Sequence, residues 1–239
     1  MLQIAIIGLG TFAKRMIDEL SAVGAELILV DRDAVVIDKY KSFAKASYIV
    51  DVINVESLEK IIPASIDAAI LDFDDKLEPS ILTTHYLKHM GIKNIVVETQ
   101  SDTHGELLQL AGATQIVYPE LEAAKRICPQ LLSKNLWNYI QLSKNFAMAE
   151  VEINDELDGV SVKDSNFRAK YGLNIIACRK SGESELIPIN DPNFLFTKDC
   201  SILVAGANDS IESFIHHDTK KTPISNRLLL DRFLHKNKK

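Results

Sequence analysis

The sequence predicts an α/β protein: a doubly wound parallel sheet, a crossover helix, and then a small α+β lobe. Three observations carry that expectation. Six short apolar runs occur in the first half, helical stretches ending at glycine lie between them, and near residue 146 the pattern changes to strand-like alternation. The runs are residues 4–7, 27–30, 48–50, 68–71, 95–97 and 115–117, rich in Ile, Val and Leu. They hardly alternate, as expected of parallel strands buried on both faces.

The intervening helices are read from period. Phe12, Met16, Ile17, Leu20 and Val23 share one face of a helix that stops at Gly24. Ile81, Leu82, Tyr86, Leu87 and Met90 repeat the pattern up to Gly91, and Leu107, Leu108 and Ala111 up to Gly112. Each glycine stands where a helix C-terminus needs positive φ. Strand–helix alternation with short connections defines a doubly wound sheet over residues 1–122. A further helix is expected from about 120 to 144, forming a crossover over 123–146, with a kink or break at Pro129. Its Leu131, Leu132, Leu136, Trp137, Ile140 and Leu142 exceed what one buried helix face needs, which suits packing on a second subunit as well as a plain cover helix. Residues 147–217 form the second lobe: strands near 147–153, 173–179, 185–187 and 200–205, turns at 157–159 and 181–182, and a helix over 209–215. Residues 218–239 form a basic tail.

Composition bounds the function. The 239 residues are 46% hydrophobic and 25% charged, the balance of a globular chain. A net charge of −6 gives no overall drive toward nucleic acid. From residue 220 to 239 the tail runs against that balance, with Lys220, Lys221, Arg227, Arg232, Lys236, Lys238 and Lys239 against Asp231. It reads either as a solvated terminus or as a short basic helix for an acidic partner or membrane surface. Cys128, Cys178 and Cys200 lack the spacing of a disulfide framework or zinc site. The opening Met1-Leu2-Gln3-Ile4 runs straight into a strand without the look of a signal peptide, and no apolar stretch approaches the ~18–20 residues of a membrane span. A cytoplasmic chain is expected.

The strongest motif is Gly8-Leu9-Gly10-Thr11-Phe12-Ala13, which follows a strand and opens a helix. Gly8 permits the tight turn, Gly10 lets the backbone approach a pyrophosphate, and Ala13 lets the helix pack close to the sheet. The helix's free N–H groups then face a phosphate. Asp31 ends the second run about 20 residues beyond Gly10, the place of a carboxylate that takes ribose hydroxyls. Together these define a Rossmann-type lobe, with NAD or an adenine nucleotide preferred over NADP because a carboxylate repels a 2′-phosphate. The competing reading is a lobe that has kept the geometry and lost the ligand. Asp72, Asp74 and Asp75 after the fourth run, and Glu98 after the fifth, crowd the same crevice with negative charge. Such a site binds polyphosphate weakly, binds it with a divalent cation, or takes something less anionic.

A dehydrogenase needs a proton donor or acceptor beside the nicotinamide. His85 and His89 share a helix face without an H-E-x-x-H pattern and read as solvated, and His216-His217 reads as surface. No G-x-S-x-G elbow or P-loop occurs. A non-enzyme is expected, the alternative being an NAD-dependent oxidoreductase with a small C-terminal substrate domain.

The residues as a whole resemble the RCK family, regulators of potassium conductance, of the Ktr/Trk type. The resemblance covers about residues 3–216. It is carried by Ile7-Gly8-Leu9-Gly10 with Leu29-Val30-Asp31, by Ser80-Ile81-Leu82-Thr83-Thr84, by Gly112-Ala113 and Val117-Tyr118-Pro119-Glu120, and by Leu136-Trp137-Asn138-Tyr139-Ile140. Its most specific part is Leu157-Asp158-Gly159 with Asn166-Phe167-Arg168-Ala169-Lys170-Tyr171-Gly172. The resemblance implies a cytoplasmic regulatory subunit that gates a potassium-translocating membrane subunit as homodimers closed into a ring, often an octamer. It implies ADP, ATP or NAD(H) in the N lobe at Gly8, Gly10, Thr11, Phe12, Asp31, Asp51, Asp72 and Glu98. In the C lobe it implies cyclic di-AMP at Val162, Lys163, Asn166, Arg168, Ala169 and Pro188, with a guanidinium at Arg168 suited to fork onto phosphate. Glu120 matches a position for a divalent cation at the family's dimer interface. The chain departs from the pattern at Thr11, where a phosphate-contacting Arg is frequent, at Glu98, where Lys or Arg is usual, and at Asp74, which replaces a small residue.

Overall fold

The computed structural model describes residues 2–217 apart from 54, 75 and 134. The expected basic tail and Asp75 therefore lie outside the described residues. The chain divides into two compact units, Met1–Glu122 and the part from Ala123 onward.

The first unit alternates β1 (Gln3–Ile7), α1 (Thr11–Ala22), β2 (Glu26–Asp31), α2 (Ala34–Tyr40), β3 (Ala46–Ile49), α3 (Val55–Ile61), β4 (Ala68–Leu71), α4 (Leu77–His89), β5 (Ile95–Glu98), α5 (Asp102–Ala111) and β6 (Gln115–Val117). All neighbouring strands pair in parallel, in the order β3-β2-β1-β4-β5-β6. The near-continuous apolar runs now have their cause. Alternate residues of one strand enter two separate cores: Ala5, Ile7, Ile28 and Val30 pack with Leu58, Leu87 and Leu108 on one face. Ile4, Ile6, Leu27 and Leu29 pack with Ala13, Ile17 and Ile37 on the other. Each fully buried Ile or Leu contributes about 2 kcal/mol, so neither face tolerates a polar residue at these positions. The order reverses between β1 and β4, and the crevice beyond their carboxyl ends is where an open α/β sheet takes a ligand.

The predicted long helix is shorter than expected. Helix α6 covers Pro119–Leu132 and runs through Pro129 without breaking. Pro129 lies in the last turn, so it forfeits the one bond its N–H would make to the Lys125 carbonyl, and the helix ends within one turn of it. The chain then becomes strand, β7 (Leu136–Ser143) and β8 (Phe146–Glu152), joined at a tight turn. The helical reading of 136–144, and with it a crossover helix reaching 146, is thus corrected. Irregularities between Leu136 and Asn138 and between Gln141 and Ser143 shift the strand's phase, so Leu136 is buried with Tyr139, while Trp137, Ile140 and Leu142, expected on the same helix as Leu136, are exposed.

The second unit continues with α7 (Val162–Ser165), α8 (Phe167–Tyr171), β9 (Asn174–Lys180), β10 (Ile187–Pro188), β11 (Cys200–Ala207) and α9 (Asn208–His217). Its antiparallel sheet has the order β10-β9-β11-β8-β7. One core of Val151, Ile202, Val204 and Ile211 is completed by aromatic rings: Phe167 packs 4.9 Å from Tyr171 and 5.2 Å from Phe214. Among the described residues, no helix is long and apolar enough to cross a membrane.

Candidate functional site

The carboxyl end of β1 passes straight into the glycine loop. Gly8 has φ +76°, and a Cβ there would collide with the Asp72 carbonyl at the end of β4. Gly10 has no room for a Cβ either, because the Asp72 carboxylate lies against it. The two glycines therefore do what the motif predicts, holding a tight turn and a close backbone approach. The group that approaches Gly10 belongs to the chain itself.

Asp72 is the least expected part of the site. Its carboxylate is 2% exposed, and the N–H of Ala13 donates to Oδ2 at 2.8 Å. The N–H of Asp74 donates to Oδ1 at 3.3 Å. Helix α1 has no side-chain cap of its own and no acidic residue in its first turn. A carboxylate 59 residues further along the chain supplies the missing negative charge at its N-terminus. Burial pushes the Asp72 carboxyl above the usual carboxylate range, while the N–H groups of Ala13, Asp74 and Phe12 pull against that rise.

Asp31 sits where the motif places it, at the end of β2. Its Oδ2 accepts from the Leu9 N–H at 2.7 Å and its Oδ1 from the Asp33 N–H at 2.8 Å. Each carboxylate oxygen can take a second donor, so Asp31 braces the glycine loop and still offers acceptor capacity to a ligand hydroxyl. Asp51 is exposed beyond β3, its Oδ1 accepting from the Ile53 N–H at 3.3 Å.

A cavity of about 250 Å³ joins Gly8, Gly10, Asp31, Asp51 and Asp72. Asp74 also lines it, and Lys14, Arg32 and Lys76 supply cations. Sequence reasoning missed these three, since each lies outside the fingerprint. Lys14 follows one residue after Ala13, and Arg32 directly after Asp31, so the signal was present but carried no motif. Thr11, Phe12 and Glu98 do not line the cavity. Thr11 is exposed, Phe12 packs into the core beside α1, and Glu98 is buried at the end of β5. Ser80 and His104, near the start of α4 and in α5, join in a buried hydrogen bond of 2.7 Å, with Thr99 on the other ring nitrogen at 3.0 Å. No histidine lines the cavity among the described residues.

In the second unit, Val162 and Lys163 lie in α7, and Arg168 and Ala169 in α8. Asn166 joins the two helices in the left-handed region, φ +45°. These positions form one contiguous turn with Lys163, Asn166, Arg168 and Ala169 exposed. Pro188 is separate in the chain, on edge strand β10 paired with Ala177 of β9. Glu120 is exposed in the first turn of α6, and no cluster of metal-binding side chains occurs among the described residues.

Comparison with known proteins places these features in a family. The TrkA-N domain profile matches residues 4–119 and the TrkA-C domain profile residues 146–217. The chain is 32% identical over 207 residues to the Ktr system potassium uptake protein C of Bacillus subtilis (strain 168), covering 87% of this chain and 93% of that protein. It is 31% identical over 207 residues to the Ktr system potassium uptake protein A of the same organism, with the same coverage. Among solved structures, the GsuK channel bound to NAD superposes with a TM-score of 0.62 at 19% identity over 93% of this chain, which spans 40% of that channel chain. With a glycine loop at the switch point of one unit, an antiparallel sheet in the other, and matches to both domain types, the chain belongs to the RCK family of Ktr-type potassium uptake proteins.

Proposed function

We propose that the chain is a cytoplasmic, non-enzymatic regulatory subunit that senses a nucleotide and gates a potassium-translocating membrane subunit. The observation that carries this reading is the cavity at the β1–β4 switch point, where the glycine loop and Asp31 meet. Adenine nucleotide or NAD(H) is the ligand class. Asp31 takes the ribose hydroxyls, and Lys14, Arg32 and Lys76 supply positive charge for phosphate. The alternative reading is an NAD-linked oxidoreductase with a small C-terminal substrate domain, which turnover of NADH with a small acid would favour.

Two copies pair, and the dimers close into a ring, an octamer in this reading, at the inner face of the membrane through the membrane subunit. The apolar Ile127, Leu131, Ile140 and Leu142, 48%, 76%, 50% and 56% exposed, favour burial against a second copy. Glu120 on the same helix as Ile127 is the candidate for a divalent cation at such an interface. The exposed turn from Val162 to Ala169 is the candidate cyclic di-AMP site, with Pro188 completing it. The Arg168 guanidinium makes no ion pair among the described residues and is free to fork onto a phosphate.

A thermal-shift panel of ADP, ATP, NAD, NADH and cyclic di-AMP, with Mg²⁺ present, tests the reading. A ligand at 100 times its Kd should stabilise the protein by about 2.7 kcal/mol. Arg168→Ala should abolish the cyclic di-AMP shift and leave the nucleotide shifts intact. No shift with any ligand would remove the ligand-gated reading. A cyclic di-AMP shift that survives in Arg168→Ala would remove the assignment of the second unit's site.

A further inference from the structure

We propose that Asp72 occupies the glycine loop's anion position with the chain's own carboxylate, so that the site selects a nucleoside monophosphate over ligands carrying a pyrophosphate. The inference rests on the nucleotide reading of the cavity and concerns which nucleotide it takes.

In a G-x-G-x-x-A loop, the close approach at the second glycine and the free N–H groups of the following helix are the place of the pyrophosphate. Here both are already used. The Asp72 carboxylate fills the space in front of Gly10 and accepts from the Ala13 N–H at 2.8 Å. A pyrophosphate seated there would have to expel a carboxylate that is 2% exposed, or lie against it. Two like charges a few ångströms apart in a partly desolvated site repel by several kcal/mol, which is more than the hydrogen bonds at a helix N-terminus return.

Three cations line the cavity beside Asp31, Asp33, Asp51, Asp72 and Asp74. Lys14 follows the first turn of α1, Arg32 follows Asp31, and Lys76 precedes α4. All three line the cavity and none forms an ion pair among the described residues. They suit a single terminal phosphate that points out of the crevice. The volume agrees: about 250 Å³ lies just below the ~300–1,000 Å³ of ordinary small-ligand sites and suits one nucleoside better than a dinucleotide. Asp31, braced by Leu9 and Asp33, still offers acceptors for the ribose.

Isothermal titration of the full chain tests this, with adenosine, AMP, ADP and NAD in the presence of EDTA so that no cation bridges phosphate to carboxylate. The wild-type protein should bind AMP at least tenfold more tightly than ADP or NAD. Asp72→Asn keeps the shape and an acceptor for the Ala13 N–H while removing the charge. It should raise ADP affinity at least tenfold and change adenosine affinity less than threefold. Wild-type protein that binds ADP or NAD as tightly as AMP overturns the proposal and leaves the nucleotide site standing. So does an AMP preference that Asp72→Asn does not change. Absence of binding by adenosine and all three nucleotides overturns the nucleotide reading, and this proposal with it. The wild-type order of affinities decides the matter even if the variant folds poorly.

Discussion

Glu150→Ala is expected to destabilise the second unit by about 3–5 kcal/mol, the cost of breaking a buried ionic network on one side. Glu150 is 1% exposed in the middle of the antiparallel sheet. Its carboxylate accepts from Ser201 of β11 at 2.6 Å and from Asn138 of β7 at 3.0 Å. It also accepts from Arg179 of β9 at 2.8 and 3.2 Å. One side chain thus ties four strands together. Burial alone would push its carboxyl up, but the hydrogen bonds from Ser201, Asn138 and Arg179 outweigh that and hold it below the usual range. A carboxylate depressed in the folded state gives stability that is present above its unfolded pKa, about 4.3, and is lost as pH falls through the folded value. Urea melts of the wild type should therefore weaken on the acid side of pH 4.3, while those of Glu150→Gln should be lower at neutral pH and flatter in that window. Equal stability of wild type and Glu150→Ala at pH 7 would remove the network from the account of the fold.

Asp31→Ala is expected to lower nucleotide affinity by about two to four orders of magnitude, since hydrogen bonds to a charged group are worth ~1.5–3 kcal/mol each and two ribose hydroxyls lose their acceptor. The substitution also strands the Leu9 and Asp33 N–H groups, so the glycine loop loses its brace. Titration of the purified variant with ADP and Mg²⁺ checks this. Affinity within threefold of the wild type would place the ribose elsewhere.

The six parallel strands were legible because their physics is local. A strand buried on both faces must be apolar at every position, and residues 4–7 and 27–30 say so without reference to anything distant. Gly8 and Gly10 were legible for the same reason, since the turn they make is set within a few residues. What was not legible depends on distant partners or on phase. The sequence places Asp72 at the crevice, but only the fold carries its carboxylate back to the Ala13 N–H. Glu98 ends β5 as predicted and yet stays out of the cavity. Leu136, Trp137, Ile140 and Leu142 read as helix, whereas irregular pairing in β7 buries Leu136 with Tyr139 and leaves Trp137, Ile140 and Leu142 exposed. Strand β10 is only Ile187–Pro188, an edge strand where a proline is tolerated because its nitrogen faces away from β9, and the Ile189 N–H still donates to the Ile176 carbonyl at 3.1 Å. The cations Lys14, Arg32 and Lys76 belong to no motif and emerge only once three loops meet around one cavity.

Regulation by a nucleotide is a coupling between a ligand site and a pore, and it is tested where both are present. Proteoliposomes carrying the potassium-translocating membrane subunit from the same organism would be assayed for rubidium uptake with and without this chain, across a series of adenine nucleotides. Uptake should respond to nucleotide only when the chain is present, and Asp31→Ala should remove the response while leaving binding to the membrane subunit intact. Uptake that is the same with and without the chain at every nucleotide concentration would contradict this regulation.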